Sequence, residues 1–295
     1  MHILIVDTVH PYLKKELENN NNICHTAYKK NKRDIEEIIH NYEGIIIRSR
    51  FPIDRQFIDK ASKLKFIARA GVGLENIDKK YAELKGIKCF NGENGNSQAV
   101  AEHTLAILLS LLNNINIANQ EIRNGRWNRE KNRGIELYDK SIAIIGFGNT
   151  GSTLSKILTG FGVTILAYDK YLKDYPFKSS MQEIYNEADV VSLHIPLTKE
   201  TYHLVDNKFI DRFKKPIYLI NTSRGKCVKT KDLVKALKKG KIKGVGLDVL
   251  EYENNSFEEL STHGLSEELL YLTTSNNSIL TCLLYTSDAA DDVRG

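Results

Sequence analysis

Cysteine is scarce and scattered in this 295-residue chain. Cys24, Cys89, Cys227 and Cys282 lie far apart and form no C-x-x-C pair. That excludes a disulfide framework and a zinc module, and it predicts reduced thiols in a cytoplasmic protein with no metal site. Long apolar runs are missing as well. The longest, residues 105–112, contains Ser110 and follows Glu102 and His103, so it is too short for a membrane span. No strong charge excess is present: 42 basic and 37 acidic residues leave +5, too mild and too scattered to imply nucleic acid. The densest basic run, residues 235–243, reads as a helix end and turn in solvent, where lysine suits the helix dipole. Met1 leads straight into an apolar stretch, so no signal peptide is expected. Internal repeats and low-complexity segments are not evident. What remains is a chain with 41% hydrophobic residues, long enough for two domains of ordinary size with sizeable cores.

The most informative stretch is residues 141–151, SIAIIGFGNTG. Four consecutive apolar residues, Ile142 to Ile145, have the pattern of a strand buried on both faces of a parallel sheet. Gly146, Gly148 and Gly151 then give G-x-G-x-x-G at a strand-to-helix turn. These positions serve a tight turn, close approach of backbone to a pyrophosphate, and close helix–strand packing. Asn149 and Thr150 lie between the last two glycines. A helix over residues 152–159 would offer its N–H groups and positive dipole end to a phosphate. A second apolar run ends in Asp169, 18 residues after Gly151, where a carboxylate can accept from an adenosine ribose. A lone glycine pattern is weak; strand, glycines, helix, strand and acid in this order point to dinucleotide binding.

Before this stretch, strand patterns at residues 2–7, 23–28, 44–48, 64–70 and 87–90 alternate with helical ones at 11–20, 33–40, 54–61 and 81–85. This predicts a small doubly wound parallel sheet. Residues 91–95 form a turn cluster. A single long helix is expected over residues 97–123, ended by Gly125. Further strands are expected at 190–195, 217–221, 244–249 and 278–281.

Several stretches together carry a resemblance: RAGVGLENID, GNSQAVAEHTLAILL, GFGNTG with Asp169, LHIPLTKET, NTSRG and GVGLDVLEYE. In this order they resemble the D-isomer-specific 2-hydroxyacid dehydrogenases, a family that includes short phosphoglycerate dehydrogenases. The resemblance implies an α/β protein of two doubly wound parallel-sheet lobes around a cleft. A flavodoxin-like substrate lobe would span residues 1–96, and a Rossmann NAD-binding lobe residues 97–281. It implies NAD as cofactor, a small 2-hydroxy acid as substrate with D-3-phosphoglycerate the leading choice, and a homodimer contacting itself through the long helix and residues 127–134. No nucleic-acid or membrane partner is expected. By the same resemblance Arg224 holds the substrate carboxylate and polarises the carbonyl, and Glu253 orients a histidine. Val72 and Gly73 offer backbone N–H groups to the carboxylate. Asp248 faces the nicotinamide, His194 and Pro196 belong to the segment covering the cofactor, and Thr222 and Ser223 share its loop. His194 reads equally as a satisfied core histidine, and Glu251 rivals Glu253.

One departure stands out. The family places its acid/base histidine in a Pro-His-x-x-Gly segment directly after the last strand, whereas here residue 281 runs into Cys282. Residues 282–295 match nothing in the family and read as a foreign tail, so the chain is expected to be a fragment lacking that histidine and to turn over little. His103, His194 and His263 do not occupy its position. A non-catalytic NAD-binding sensor, akin to a corepressor, is the alternative.

Overall fold

The computed structural model describes residues 1–92, 95–252 and 266–282. They form two compact units, the first from Met1 to Asn96 and the second beginning at Ser97. The first alternates β1 (His2–Ile5), α1 (Pro11–Asn19), β2 (Ile23–Thr26), α2 (Lys32–Ile38), β3 (Gly44–Ile47), α3 (Arg55–Lys60), β4 (Phe66–Arg69), α4 (Lys79–Leu84) and β5 (Lys88–Asn91). Its five strands are all parallel in the order β2-β1-β3-β4-β5, the flavodoxin-like arrangement. Period-two alternation splits the strands between two cores. Leu4, Val6, Ile45, Ile47 and Ile67 face a thick layer with Ile35, Phe57 and Ile58. Ile3, Ile5 and Ile46 face a thinner one with Leu13 and Leu17 of α1. On that thinner side a hollow of about 650 Å³ opens beside Ile46, Phe66 and Phe90. The helices start where short polar side chains can cap them: Asp54 accepts from the Phe57 N–H, and Asp78 from the Tyr81 N–H.

The second unit opens with α5 (Ser97–Leu112) and α6 (Ile115–Arg123). These replace the single long helix expected from the sequence. The axis bends by 62° between them. The cause is local: Asn114 adopts the left-handed conformation (φ 52°), which asparagine tolerates and a helix cannot continue through. No single helix among the described residues is long and apolar enough to cross a membrane. There follow β6 (Ser141–Ile145), α7 (Asn149–Leu158), β7 (Thr164–Tyr168), α8 (Met181–Glu187), β8 (Val190–Leu193), α9 (Asn207–Asp211), β9 (Ile217–Asn221), α10 (Thr230–Lys238), β10 (Ile242–Leu247), α11 (Glu267–Thr274) and β11 (Ser278–Leu280). The six strands are parallel in the order β11-β10-β9-β8-β6-β7. Helices cover both faces. Ala143, Ile145, Val191 and Leu219 pack with Leu233 and Leu237 of α10, while Ile142, Ile144 and Ile220 pack with Ile107, Leu111 and Leu154. The strand order reverses between β6 and β8, and ligands in open α/β sheets bind outside the carboxyl ends of strands at such a point.

Candidate functional site

The glycine turn sits at this reversal. Gly146 closes β6 with φ 94°, and a Cβ there would lie 2.3 Å from the His194 carbonyl oxygen at the end of β8. A Cβ on Gly151 would lie 2.1 Å from the Gly146 carbonyl oxygen, so the first turn of α7 packs directly onto the loop. Gly148 differs: a Cβ there would meet nothing within 4 Å, and the residue is exposed. Gly146 and Gly151 are therefore internal packing requirements, and Gly148 presents bare backbone to open space. The helix begins at Asn149, three residues earlier than expected, because Gly148 takes the N-cap position, where it has no side chain to satisfy the first turn. Asn149 and Thr150 thus lie within the first turn, whose dipole favours an anion.

Asp169, just past β7, is more occupied than the sequence indicates. Its Oδ2 accepts from the Phe147 N–H at 2.9 Å, and its Oδ1 accepts from the Tyr171 and Leu172 N–H groups at 2.8 and 3.1 Å. Burial pushes this carboxyl up, and the three N–H bonds outweigh it, leaving it below the ordinary aspartate value. Asp169 consequently braces the glycine turn as well as marking the end of β7. Lys170, next to it, is paired with Glu200 at 2.6 Å.

His194 resolves as a partnered histidine. Its Nε2 lies 2.9 Å from the Ser192 hydroxyl, and burial pushes the imidazole down to about 4, so it is neutral at physiological pH. Its backbone carbonyl still forms one wall of the glycine turn. Pro196 is exposed two residues on, its carbonyl accepting from the Thr201 hydroxyl at 2.6 Å.

At the end of β9 a second loop is built from side chains. Asn221 is fully buried; its Oδ1 accepts from the Ser223 N–H at 3.0 Å and hydroxyl at 2.8 Å, and its Nδ2 donates to the Arg224 carbonyl at 3.0 Å. Sequence reading assigned Asn221 only to the strand; the available signal was an amide ending an apolar strand ahead of Thr-Ser-Arg-Gly, the setting of a side-chain-stabilised turn. The Thr222 hydroxyl is 2.9 Å from that of Thr104 on α5. Arg224 is extended (φ −141°) and its Nη1 donates to the Ser223 carbonyl at 2.8 Å. A Cβ on Gly225 would lie 1.9 Å from the Leu250 carbonyl oxygen, so this loop lies against the segment leaving β10. Asp248, on that segment, is buried and its N–H donates to the Asn221 carbonyl at 3.0 Å.

Glu253 lies outside the described residues. Its rival Glu251 is committed elsewhere: Oε1 is 2.7 Å from His203 Nε2, and Oε2 accepts the Thr230 N–H at 2.7 Å at the start of α10. That makes Glu251 a helix-anchoring carboxylate. Cys227 is buried, and burial pushes its thiol up to about 11, an inert side chain.

The second unit thus gathers the Gly146–Gly151 turn, Asp169, His194, Thr222, Ser223, Arg224 and Asp248 around the carboxyl ends of its strands. Val72 and Gly73 belong to the first unit, on the loop after β4. There the Val72 carbonyl accepts from Asn91 Nδ2, and the Gly73 carbonyl from Arg69 Nη1. Among the described residues neither of their N–H groups meets a protein acceptor.

A family model described as the D-isomer specific 2-hydroxyacid dehydrogenase, NAD binding domain, matches residues 105–280. D-3-phosphoglycerate dehydrogenase of Bacillus subtilis is 35% identical over 243 residues, covering 80% of this chain and 46% of that protein. Hydroxypyruvate reductase of Thermotoga maritima is 34% identical over 225 residues, covering 75% of this chain and 74% of its own. The chain spans about half the length of the phosphoglycerate dehydrogenases it matches. Among solved structures, the Aquifex aeolicus D-lactate dehydrogenase complexed with NAD and lactic acid superposes with a TM-score of 0.78 at 28% identity, covering 95% of this chain and 87% of that one.

Proposed function

The chain belongs to the D-isomer-specific 2-hydroxyacid dehydrogenase family, and on that premise we propose that it is an NAD-dependent oxidoreductase acting at C2 of a D-2-hydroxy acid or its 2-keto form. The observation that carries this reading is a bare glycine turn at a helix N-terminus, standing at the strand-order reversal, with the loops bearing Arg224 and Asp248 following β9 and β10 at the same carboxyl edge of the sheet. The residues present fit a dinucleotide. Gly148 leaves open space for a pyrophosphate at the α7 N-terminus, while Gly146 and Gly151 close the turn behind it. When bound, the nicotinamide carries the hydride. Asp169 would hold the ribose with the acceptor capacity its three N–H bonds leave, Asn149, Thr150, His194, Pro196, Thr222 and Ser223 would contribute to the rest of the cofactor site, and Asp248 would receive the nicotinamide amide. Arg224 holds the substrate carboxylate with a paired guanidinium contact and draws charge onto the carbonyl oxygen as it develops. Val72 and Gly73, on the first unit, offer backbone N–H groups to a substrate carboxylate, and Glu253 would orient the acid/base histidine that the family places after its last strand, where this chain has Cys282. In this reading the first unit is the substrate lobe and the second the cofactor lobe.

D-3-phosphoglycerate is the leading substrate, supported by the likeness to the Bacillus subtilis enzyme. NAD is favoured over NADP because a carboxylate at Asp169 repels a 2′-phosphate and Lys170 is already paired with Glu200. A homodimer is supported by the apolar side chains around α6, where Ile115, Ile122 and Trp127 are exposed.

The test uses nucleotide binding and keto-acid binding together. The chain is titrated with NADH and NADPH, then, with NADH present, with glyoxylate, hydroxypyruvate, pyruvate and 3-phosphohydroxypyruvate, following NADH fluorescence and absorbance. NADH binding tighter than NADPH, and a keto-acid response that Arg224→Lys abolishes while NADH affinity stays unchanged, are the expected results. Equal or tighter NADPH binding removes the Asp169 assignment. NADH binding with no keto-acid response favours the NAD-binding sensor instead.

A further inference from the structure

Two successive residues of α5 grip three strand ends. The Thr104 hydroxyl donates to the Val100 carbonyl at 2.7 Å and meets the Thr222 hydroxyl beyond β9 at 2.9 Å. His103 Nε2 lies 3.1 Å from Asp248 Oδ1, beyond β10, and 3.1 Å from the Thr281 hydroxyl, beyond β11. The triangle closes with the Thr281 hydroxyl donating to the same Asp248 Oδ1 at 2.6 Å. The His103 and Asp248 side chains are only 12% and 4% exposed, so these contacts are shielded from competing water.

The Thr281 hydroxyl has one proton, and it goes to Asp248 Oδ1. His103 Nε2 lies within hydrogen-bond reach of both oxygens, and a proton on it serves both. Asp248 Oδ1 accordingly receives two donors from two different elements, and its own backbone is tied to Asn221. That arrangement sets the rotation of the carboxylate plane about χ2, a torsion that is otherwise broad.

We propose that His103 is a positioning residue for the nicotinamide half of the cofactor, acting through Asp248 and with Thr281 as the second holder of the same oxygen. The inference rests on the reading that Asp248 receives the nicotinamide amide. A carboxylate that must meet an amide N–H within a few tenths of an ångström needs its plane held by its surroundings, and His103 and Thr281 supply that hold. The same reading assigns the adenosine end to Asp169 and the glycine turn.

The experiment compares NADH with ADP-ribose, which lacks the nicotinamide, by calorimetric titration of the full chain and of His103→Leu, His103→Gln and Thr281→Val. In His103→Leu, NADH affinity should fall about tenfold, the size of one lost hydrogen bond to a charged group, while ADP-ribose affinity stays within about twofold. His103→Gln places an amide N–H near the position of Nε2 and should restore NADH affinity to within about threefold of the unaltered chain. Thr281→Val should show the same NADH-selective loss, and it carries the test if His103→Leu does not fold. Equal losses of both nucleotides in His103→Leu and Thr281→Val, or no loss of NADH affinity in either, would overturn the proposal. An unaltered chain that binds ADP-ribose as tightly as NADH overturns the placing of Asp248 at the nicotinamide. One that binds neither overturns the NAD reading itself, and both inferences with it.

Discussion

Two loops follow strand ends in the second unit and are built by opposite means. The turn after β6 is made by leaving side chains out: Gly146 and Gly151 touch backbone where a Cβ would collide, and Gly148 faces open space. The loop after β9 is made by putting side chains in: Asn221, Thr222 and Ser223 are buried and hydrogen-bonded to the chain around them. The first suits a ligand that must come within hydrogen-bond distance of backbone N–H groups, as a pyrophosphate does. The second suits a long side chain, Arg224, that must be held at one place on a strand end. Steric exclusion and hydrogen-bond satisfaction are thus alternative ways of making a rigid loop, with different vulnerabilities.

The sharpest break in the contrast is Gly151→Ala. A methyl group there would lie 2.1 Å from the Gly146 carbonyl oxygen, which is backbone and cannot swing aside, and 3.1 Å from Ile144 Cγ2. The expected loss is about 3 kcal/mol of stability, the upper end of ordinary overpacking, read as a lower melting temperature together with weakened NADH binding. The matching test on the other loop is Asn221→Ala, which strips the partner from the Ser223 N–H and the Arg224 carbonyl. It should cost about 2 kcal/mol by leaving buried groups unsatisfied, measured by denaturant unfolding, and should weaken keto-acid binding more than NADH binding.

Asp169 connects the two strategies, since a side chain there supports the glycine turn. Its carboxyl is held below the ordinary aspartate value, so its contribution is present in full above about pH 4 and is lost as pH falls through the depressed native value. Asp169→Asn should destabilise the chain at pH 7 by about 1 kcal/mol, and the gap should close below about pH 4. Thermal melts of both proteins across that range check it; a gap independent of pH contradicts the ionic brace. The smallest expected effect on stability is Gly148→Ala, within about 0.5 kcal/mol because its Cβ enters open space. The same substitution should nevertheless weaken NADH binding, measured by titration, if the proposed pyrophosphate position in that space is right. Unchanged NADH affinity would move the pyrophosphate away from Gly148.

Much of this was legible in the linear order. Strands buried on both faces show as apolar runs, and a turn that requires glycine shows as glycine, so β6, its G-x-G-x-x-G turn and Asp169 could be located from residue types alone. Helix boundaries were less legible. The α5–α6 break rests on Asn114 adopting a left-handed conformation, one that asparagine permits but does not require. The start of α7 at Asn149 depends on which residue takes the cap.

The sequence by itself determined the alternation of strand and helix, the glycine turn and the order of the motifs, because these follow from local sterics and period. Only the tertiary structure decided the partnerships. His194 bonds Ser192 and walls the turn with its carbonyl, Glu251 anchors α10, and Asn221 builds the Arg224 loop. His103 meets Asp248 across 145 positions of chain, and Thr281 across 178. Hydrogen bonds between residues that far apart leave no periodic trace in the sequence. They exist because packing α5 against the sheet brings polar groups into buried contact, where each must find a partner.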